Sequence, residues 1–514
     1  VTSSPAQRPP ADRPDPAAAP TRPAADCPAD RPAPDPHRWR ALGVCLAIGF
    51  ITMLDVSIVN VALPSIERSL QAGASQLQLI VAGYTLAFGL VLVPAGRLGD
   101  ARGRRNLFLL GLSGFALTSL GAGLAPSDEV LAVMRLLQGV SAGLLNPQVV
   151  GTIQQLFAGP ERGRAFGYFG ATIGVSTALG PLLGGLTIQA FGAEEGWRWV
   201  FFVNVPVIAV VLPFAVRFLP RGAAGAPAGV ARPGGRPRID VVGLAGVALA
   251  AGAVMVPFVT TTGEGGDDPA RWWWLAVAAV VAAATVLWER RYQRRTGAAV
   301  LDPRVLREPS FRNGALLGMA YFAGFTSVFL VATLYLQQVA GFTPLQAGLV
   351  NMPFAIASAV SAQRSGRLVA TRGRALVVVG LVLVVAGLVG TDLAIRLVDP
   401  PAVGFVMAAT QMVAGAGSGL VIAPNQTLTL ARVPVERAGV AGSMLQVGQR
   451  VGSALGVAVA LSTYYSALAA GVAGSVAAGR ALLLTVSLVA VSLVVAVLDL
   501  RARRRDAATA PADA

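Results

Sequence analysis

The chain has 514 residues, 54% hydrophobic and only 13% charged, and a mean hydropathy of +0.64; soluble domains carry about a quarter charged residues, so water is not its main solvent. The net charge is +15, yet the basic residues are scattered between apolar runs instead of gathered in one patch, which argues against nucleic-acid binding. All of them are arginine, so there is no Walker A lysine to grip an ATP phosphate.

The single histidine, His37, and the two cysteines, Cys27 and Cys45, are too few and too far apart for a zinc site or a disulfide framework. An arginine-only basic set with abundant Ala, Gly, Val and Pro points to a GC-rich bacterial genome. Residues 1–38, dense in Pro, Ala, Arg and Asp, predict a disordered cytoplasmic tail without a secretory signal.

Beyond Arg40, apolar runs follow one another, each near the roughly 20 residues that cross about 30 Å of hydrocarbon. They fall at roughly 41–63, 77–96, 106–125, 129–154, 165–190, 197–218, 240–262, 271–288, 311–339, 345–362, 375–395, 402–424, 438–462 and 481–499. About fourteen spans are predicted. Loops on one side carry Arg102, Arg104 and Arg105, then Arg162 and Arg164, then Arg290, Arg291, Arg294 and Arg295; those on the other hold Asp128, Glu129, Glu194 and Glu195. By the positive-inside rule the arginine side is cytoplasmic, and an even count leaves both termini there.

Gly96-Arg97-Leu98-Gly99-Asp100-Ala101-Arg102-Gly103-Arg104 is repeated as Gly366-Arg367-Leu368-Val369-Ala370-Thr371-Arg372-Gly373-Arg374, and Glu161-Arg162 as Glu436-Arg437. The duplication predicts two six-helix bundles, 39–220 and 311–500. A linker with two extra helices, 221–310, separates them, and 501–514 is a second cytoplasmic tail.

In the first span, Asp55 lies some fifteen residues past Arg40, about 22 Å along a helix. A carboxylate there would cost about 2.5 kcal/mol or more if it faced lipid, so it is read as functional. Surrounding hydrocarbon favours its neutral form unless a cation opposes this, which suits a group that takes up and releases protons. Arg135 lies at matching depth in the fourth span, with Gln138 one turn on. Asn146 in the fourth span, and Gln446, Gln449 and Arg450 in the thirteenth, are candidates for cavity or cargo contacts. In the fifth span Gly170, Gly174, Ala178, Pro181 and Gly185 recur every three or four residues, a spacing that predicts one flat face for close helix approach.

Taken in order, these motifs resemble a known family. The loop Gly96 to Arg105, G-x-L-x-D-x-x-G-R-R, is similar to the signature loop of the major facilitator superfamily; Arg135 to Gly139 resembles its R-x-x-Q-G motif. Gly174 to Gly185, with Gly180, Pro181 and Gly184 between, resembles the antiporter motif G-x-x-x-x-x-G-P-x-x-G-G. Gly196-Trp197-Arg198-Trp199-Val200-Phe201-Phe202-Val203-Asn204-Val205-Pro206 resembles a stretch typical of fourteen-span drug:proton antiporters of the EmrB/QacA type. The resemblance implies an all-α membrane protein with the major facilitator fold, and a conformation-dependent lock built from Gly96, Asp100, Gly103 and Arg104. It assigns proton coupling to Asp55 and Arg135.

The expected function is proton-coupled efflux of lipophilic drugs or antibiotics by alternating access, the cargo being cationic if Asp55 also touches it. No cofactor beyond the proton gradient is expected, and the carrier is expected to act as a monomer in the bacterial cytoplasmic membrane. Alternatives are a dedicated exporter of one endogenous metabolite, such as a self-made antibiotic, and a non-transporting sensor. A polytopic membrane enzyme would need clustered acids in one loop, which the sequence lacks.

Overall fold

The computed structural model describes residues 36–72, 74–192, 194–221, 240–259, 268–296, 307–400, 402–434 and 438–509. The expected tail up to residue 35, with Cys27, lies outside them, as do 222–239, 260–267 and 297–306 of the linker and the repeated pair Glu436-Arg437. The chain divides into Val1–Pro36 and His37–Ala514, and all that follows concerns the second unit.

Apolar segments in hydrocarbon must satisfy every backbone polar group internally, and a helix does so within one segment. The described residues accordingly form helices and no strands. The first six are α1 (Arg38–Leu70), α2 (Ala74–Arg102), α3 (Arg104–Gly123), α4 (Asp128–Leu156), α5 (Gly159–Phe191) and α6 (Gly196–Phe218). Next come α7 (Val241–Val259) and α8 (Trp273–Thr296). The remainder are α9 (Pro309–Leu334), α10 (Pro344–Leu397), α11 (Ala402–Leu430), α12 (Ala438–Ala469) and α13 (Gly474–Thr509).

Twelve of the described helices are long and apolar enough to cross a membrane. One of these, in α10, runs for 53 residues, roughly 80 Å at 1.5 Å per residue and far more than one crossing needs. Its backbone breaks at Gly373, with φ 47° and ψ −129°, so α10 has two limbs. Gly103, at the equivalent position of the first repeat, has φ 96° and separates α2 from α3. Left-handed backbone at both places explains why the duplicated loop keeps this glycine.

The two halves are built alike. Within the first, α4 lies so close to α2 that a Cβ on Gly139 would collide with the Tyr84 carbonyl; within the second, Gly415 of α11 lies the same way against the Phe354 carbonyl of α10. Gly139→Val is expected to destabilise the protein by about 1–3 kcal/mol through overpacking. Gly185→Ala, where nothing lies within 4 Å of an added Cβ, should melt like the parent in a thermal scan of the detergent-solubilised protein.

The halves meet where α5 packs on α10 and α11, and where α12 packs on α2 and α4. Helix α7 rests on α2 and α12, and α8 rests on α7. Apolar side chains such as Trp273 of α8, Leu117 of α3 and Phe405 of α11 are largely exposed, as lipid-facing positions would be.

Candidate functional site

The first bundle holds a polar cluster with no exposed surface, centred on Asp55. Arg135 Nη1 donates to Asp55 Oδ2 at 2.6 Å. Gln138 Nε2 and Asn204 Nδ2 each donate to Asp55 Oδ1 at 3.0 Å. The arginine also donates to Gln138 Oε1 at 2.7 Å and, through Nε, to the Ile80 carbonyl at 3.2 Å. Ser119 accepts from Gln138 at 2.7 Å and from Asn204 at 3.4 Å. Above this, the guanidinium lies 4.2 Å from the Tyr84 ring centre, within cation–π range.

Asp55 and Gln138 are 0% exposed, Asn204 1% and Arg135 2%. Five helices, α1, α2, α3, α4 and α6, supply the cluster. Burial of a lone charge at this depth would be prohibitive, so each charge needs its partner and the remaining lone pairs need donors. Both carboxylate oxygens are engaged by donors only. A proton on Asp55 would leave Arg135 without its counter-charge and so weaken this arrangement.

At the arginine-rich end, Arg104 Nη2 donates to Asp100 Oδ1 at 2.7 Å and Arg104 Nη1 to the Gly151 carbonyl at 2.7 Å. Asp100 Oδ2 accepts the backbone N–H of Val440 at 3.0 Å, which ties the first bundle to the start of α12 in the second. Gly96 is buried in the same turn of α2. Nearby, Gly163 of α5 and Gly366 of α10 pack so tightly that a Cβ on either would meet the other's carbonyl.

Ala370 leaves the second copy of the loop without its acid, and the structure supplies one from elsewhere. Arg374 Nε donates to Asp499 Oδ2 of α13 at 2.6 Å and Asn313 Nδ2 to Asp499 Oδ1 at 2.8 Å. All of these contacts lie within the second bundle. Arg374→Leu is expected to cost about 3–5 kcal/mol by stranding Asp499, while dye extrusion per folded molecule in vesicles stays at the parent level.

Three members of the expected flat face of α5 share one neighbour, and the two glycines outside it meet another. Gly170, Gly174 and Pro181 abut the second bundle at Ala423, Ser358 and Gly348, whereas Gly180 and Gly184 abut Ser57 and Ile58 of α1. Gly185 meets neither. Asn146 is buried but donates to the Ala142 carbonyl of its own helix at 3.2 Å, away from the Asp55 cluster. Gln446, Gln449 and Arg450 lie together on α12.

Known proteins place this geometry. A sequence profile of the Major Facilitator Superfamily matches residues 45–457. The chain belongs to that superfamily. This Major Facilitator chain is 34% identical over 477 residues to a probable actinorhodin transporter of Streptomyces coelicolor, covering 91% of this chain and 80% of that one. It is 36% identical over 458 residues to the puromycin resistance protein pur8 of Streptomyces alboniger, covering 87% and 85%. The solved structure of the human organic anion transporter MFSD10 (TETRAN) matches with a TM-score of 0.63 over 90% of this chain and 100% of that one. At 15% identity that likeness establishes the fold alone.

Three cluster members had not been singled out as site residues. Asn204 sits in the aromatic-rich stretch after α5, where an amide inside an apolar run is a usable signal. Ser119 and Tyr84 give none, because hydroxyls and phenol rings are common in membrane helices.

Proposed function

We propose that this protein is a proton-coupled exporter of lipophilic small molecules across the bacterial cytoplasmic membrane, acting by alternating access. The observation that carries the reading is the enclosed Asp55, whose two oxygens meet only donors. Proton arrival neutralises the carboxylate and weakens its tie to Arg135, while Gln138 and Asn204 can go on donating to the unprotonated oxygen. The bundle that holds the proton therefore differs in packing from the bundle that lacks it. Such bistability is what couples a titration to rocking of two halves.

The remaining parts fit the cycle. Contacts between the halves at the arginine-rich end, Asp100 to Val440 and Gly163 to Gly366, act as a seal on that side. With arginine-rich loops cytoplasmic, this seal closes the cytoplasmic side and must open to admit cargo. A fourteen-span architecture is supported by counting the two limbs of α10 separately and adding α7, whose apolar stretch Val241–Pro257 is short. This favours the drug:proton antiporter group. The carrier is read as a monomer that uses no cofactor.

A cationic cargo held by Asp55 is not supported, since that carboxylate is enclosed behind Arg135. The two bacterial relatives described above are an antibiotic transporter and an antibiotic resistance protein, and both support export of antibiotic-like molecules. Cells that express the protein are expected to accumulate several-fold less of a lipophilic fluorescent dye than empty-vector cells, and a protonophore should erase the difference. Equal accumulation across a broad dye panel would point instead to a single dedicated metabolite. Extrusion that survives the protonophore would reject proton coupling.

A further inference from the structure

Four arginines reach deep into the helical bundles, and three have carboxylate partners: Arg104 with Asp100, Arg135 with Asp55 and Arg374 with Asp499. Arg450 is the exception. Among the described residues no carboxylate lies within 4 Å of it. Its guanidinium reaches across from α12 into the first bundle, 4.5 Å from the centre of the Phe88 ring of α2 and 3.9 Å from the Met53 sulfur of α1. Met53 precedes Asp55 by two residues, so Arg450 stands near the depth of the proton site, at the junction of the halves.

An aromatic face and a thioether are weak partners for a full charge and leave the guanidinium's directional N–H donors unfilled. Arg450 is also only half-buried, unlike the three paired arginines. One turn before it, and immediately before it, Gln446 and Gln449 present amides that make no hydrogen bond to the described residues. The four-residue spacing of Gln446 and Arg450 puts those two on one side of α12. The tightly packed side, Gly452 and Gly456 against the Met319 and Ala323 carbonyls of α9, also carries Gln449, whose side chain lies beside Gly318. A cation at bilayer depth without a counter-ion in the protein is the arrangement expected where the counter-ion is a passenger.

We propose that Arg450, with Gln446, binds an acidic group, a carboxylate or an acidic phenol, on a lipophilic cargo whose apolar body lies beside Met53 at the junction of the halves. The inference rests on the export reading only in placing this face on the cargo route. Arginine matches a planar oxyanion through paired N–H donors, and the Gln446 amide offers a further donor beside it. Because Arg450 belongs to one half and its apolar contacts to the other, an anion bound here touches both rocking bodies. Its arrival would shift the balance between their arrangements.

The test is binding, which does not require turnover. Purified protein in lipid nanodiscs is titrated at pH 7.5 with 1-pyrenebutyric acid and with its methyl ester, and the affinities are read from energy transfer between the tryptophans and pyrene. The parent is expected to bind the acid about 10–100-fold more tightly than the ester, the range of a charge-assisted hydrogen-bond pair. Arg450→Gln should equalise the two while leaving ester affinity in place, and Arg450→Lys should keep most of the preference. Equal binding of acid and ester by the parent, no binding of the acid, a preference that survives Arg450→Gln, or a parallel loss of both probes would each overturn the inference. If dye extrusion from cells fails while the acid preference holds, the export reading falls and the anion site stands.

Discussion

Arg135→Leu is expected to lower the stability of the folded protein by about 3–5 kcal/mol, because it leaves Asp55 as an enclosed carboxylate without its cation. Gln138 and Asn204 would still donate to it at 3.0 Å, but two neutral amides do not replace a guanidinium at 2.6 Å. The protein's only inexpensive response is to keep Asp55 protonated, which locks the cluster in one of its two forms. Adding Asp55→Asn to Arg135→Leu removes the stranded charge, so most of the lost stability should return. Transport should not. Thermal unfolding of the four proteins of this cycle in detergent reads the coupling directly, and strictly additive losses would mean that the two residues do not act as a pair.

The contrast with Arg374 and Asp499 shows why an ion pair alone does not make a proton site. Both pairs have 2.6 Å contacts and both are buried. Arg374 and Asp499 join helices inside one bundle near the arginine-rich end, where a charge can be reached from the loops. Asp55 sits at the depth of the junction between bundles, and its bond to Arg135 weakens if it gains a proton. The same interaction type holds a bundle together in one half and is proposed to switch it in the other.

Much of this was readable from the chain because charge in hydrocarbon is conspicuous. Asp55 and Arg135 stood out as ionised residues in apolar runs, and equal distances from their span ends suggested that they meet. The duplicated loop announced two bundles, and its surviving glycine marked the left-handed turn now seen at Gly103 and Gly373. Polar but uncharged residues were harder. Thr52, Ser141 and Asn146 donate to carbonyls of their own helices, whereas Ser119 and Asn204 reach across to others, and nothing local separates the two groups. Nor could Asp499 be assigned to Arg374. The partner lies 125 residues away, and the repeat pointed to position 370, where an alanine stands. On α5, periodicity identified small residues but not which helix each one met.

The largest functional effect is expected at Asp55. Asparagine keeps the size and most of the hydrogen-bonding capacity of aspartate but never exchanges a proton in the physiological range. In Asp55→Asn the cluster can persist in a single arrangement whatever the pH on either side. Cargo is expected to bind still at the junction of the halves, so binding and coupling should separate. A loss of coupled transport of about a hundredfold or more is in line with removal of an essential proton carrier.

The most direct measurement uses everted vesicles with an imposed pH difference, acid inside, to which an extruded dye is added. Parent protein should let the dye dissipate the gradient as it is pumped inward, and Asp55→Asn, present at equal levels and still binding dye, should leave the gradient at the empty-vector rate. Dye-driven proton movement at the parent rate in Asp55→Asn would contradict the account at its centre.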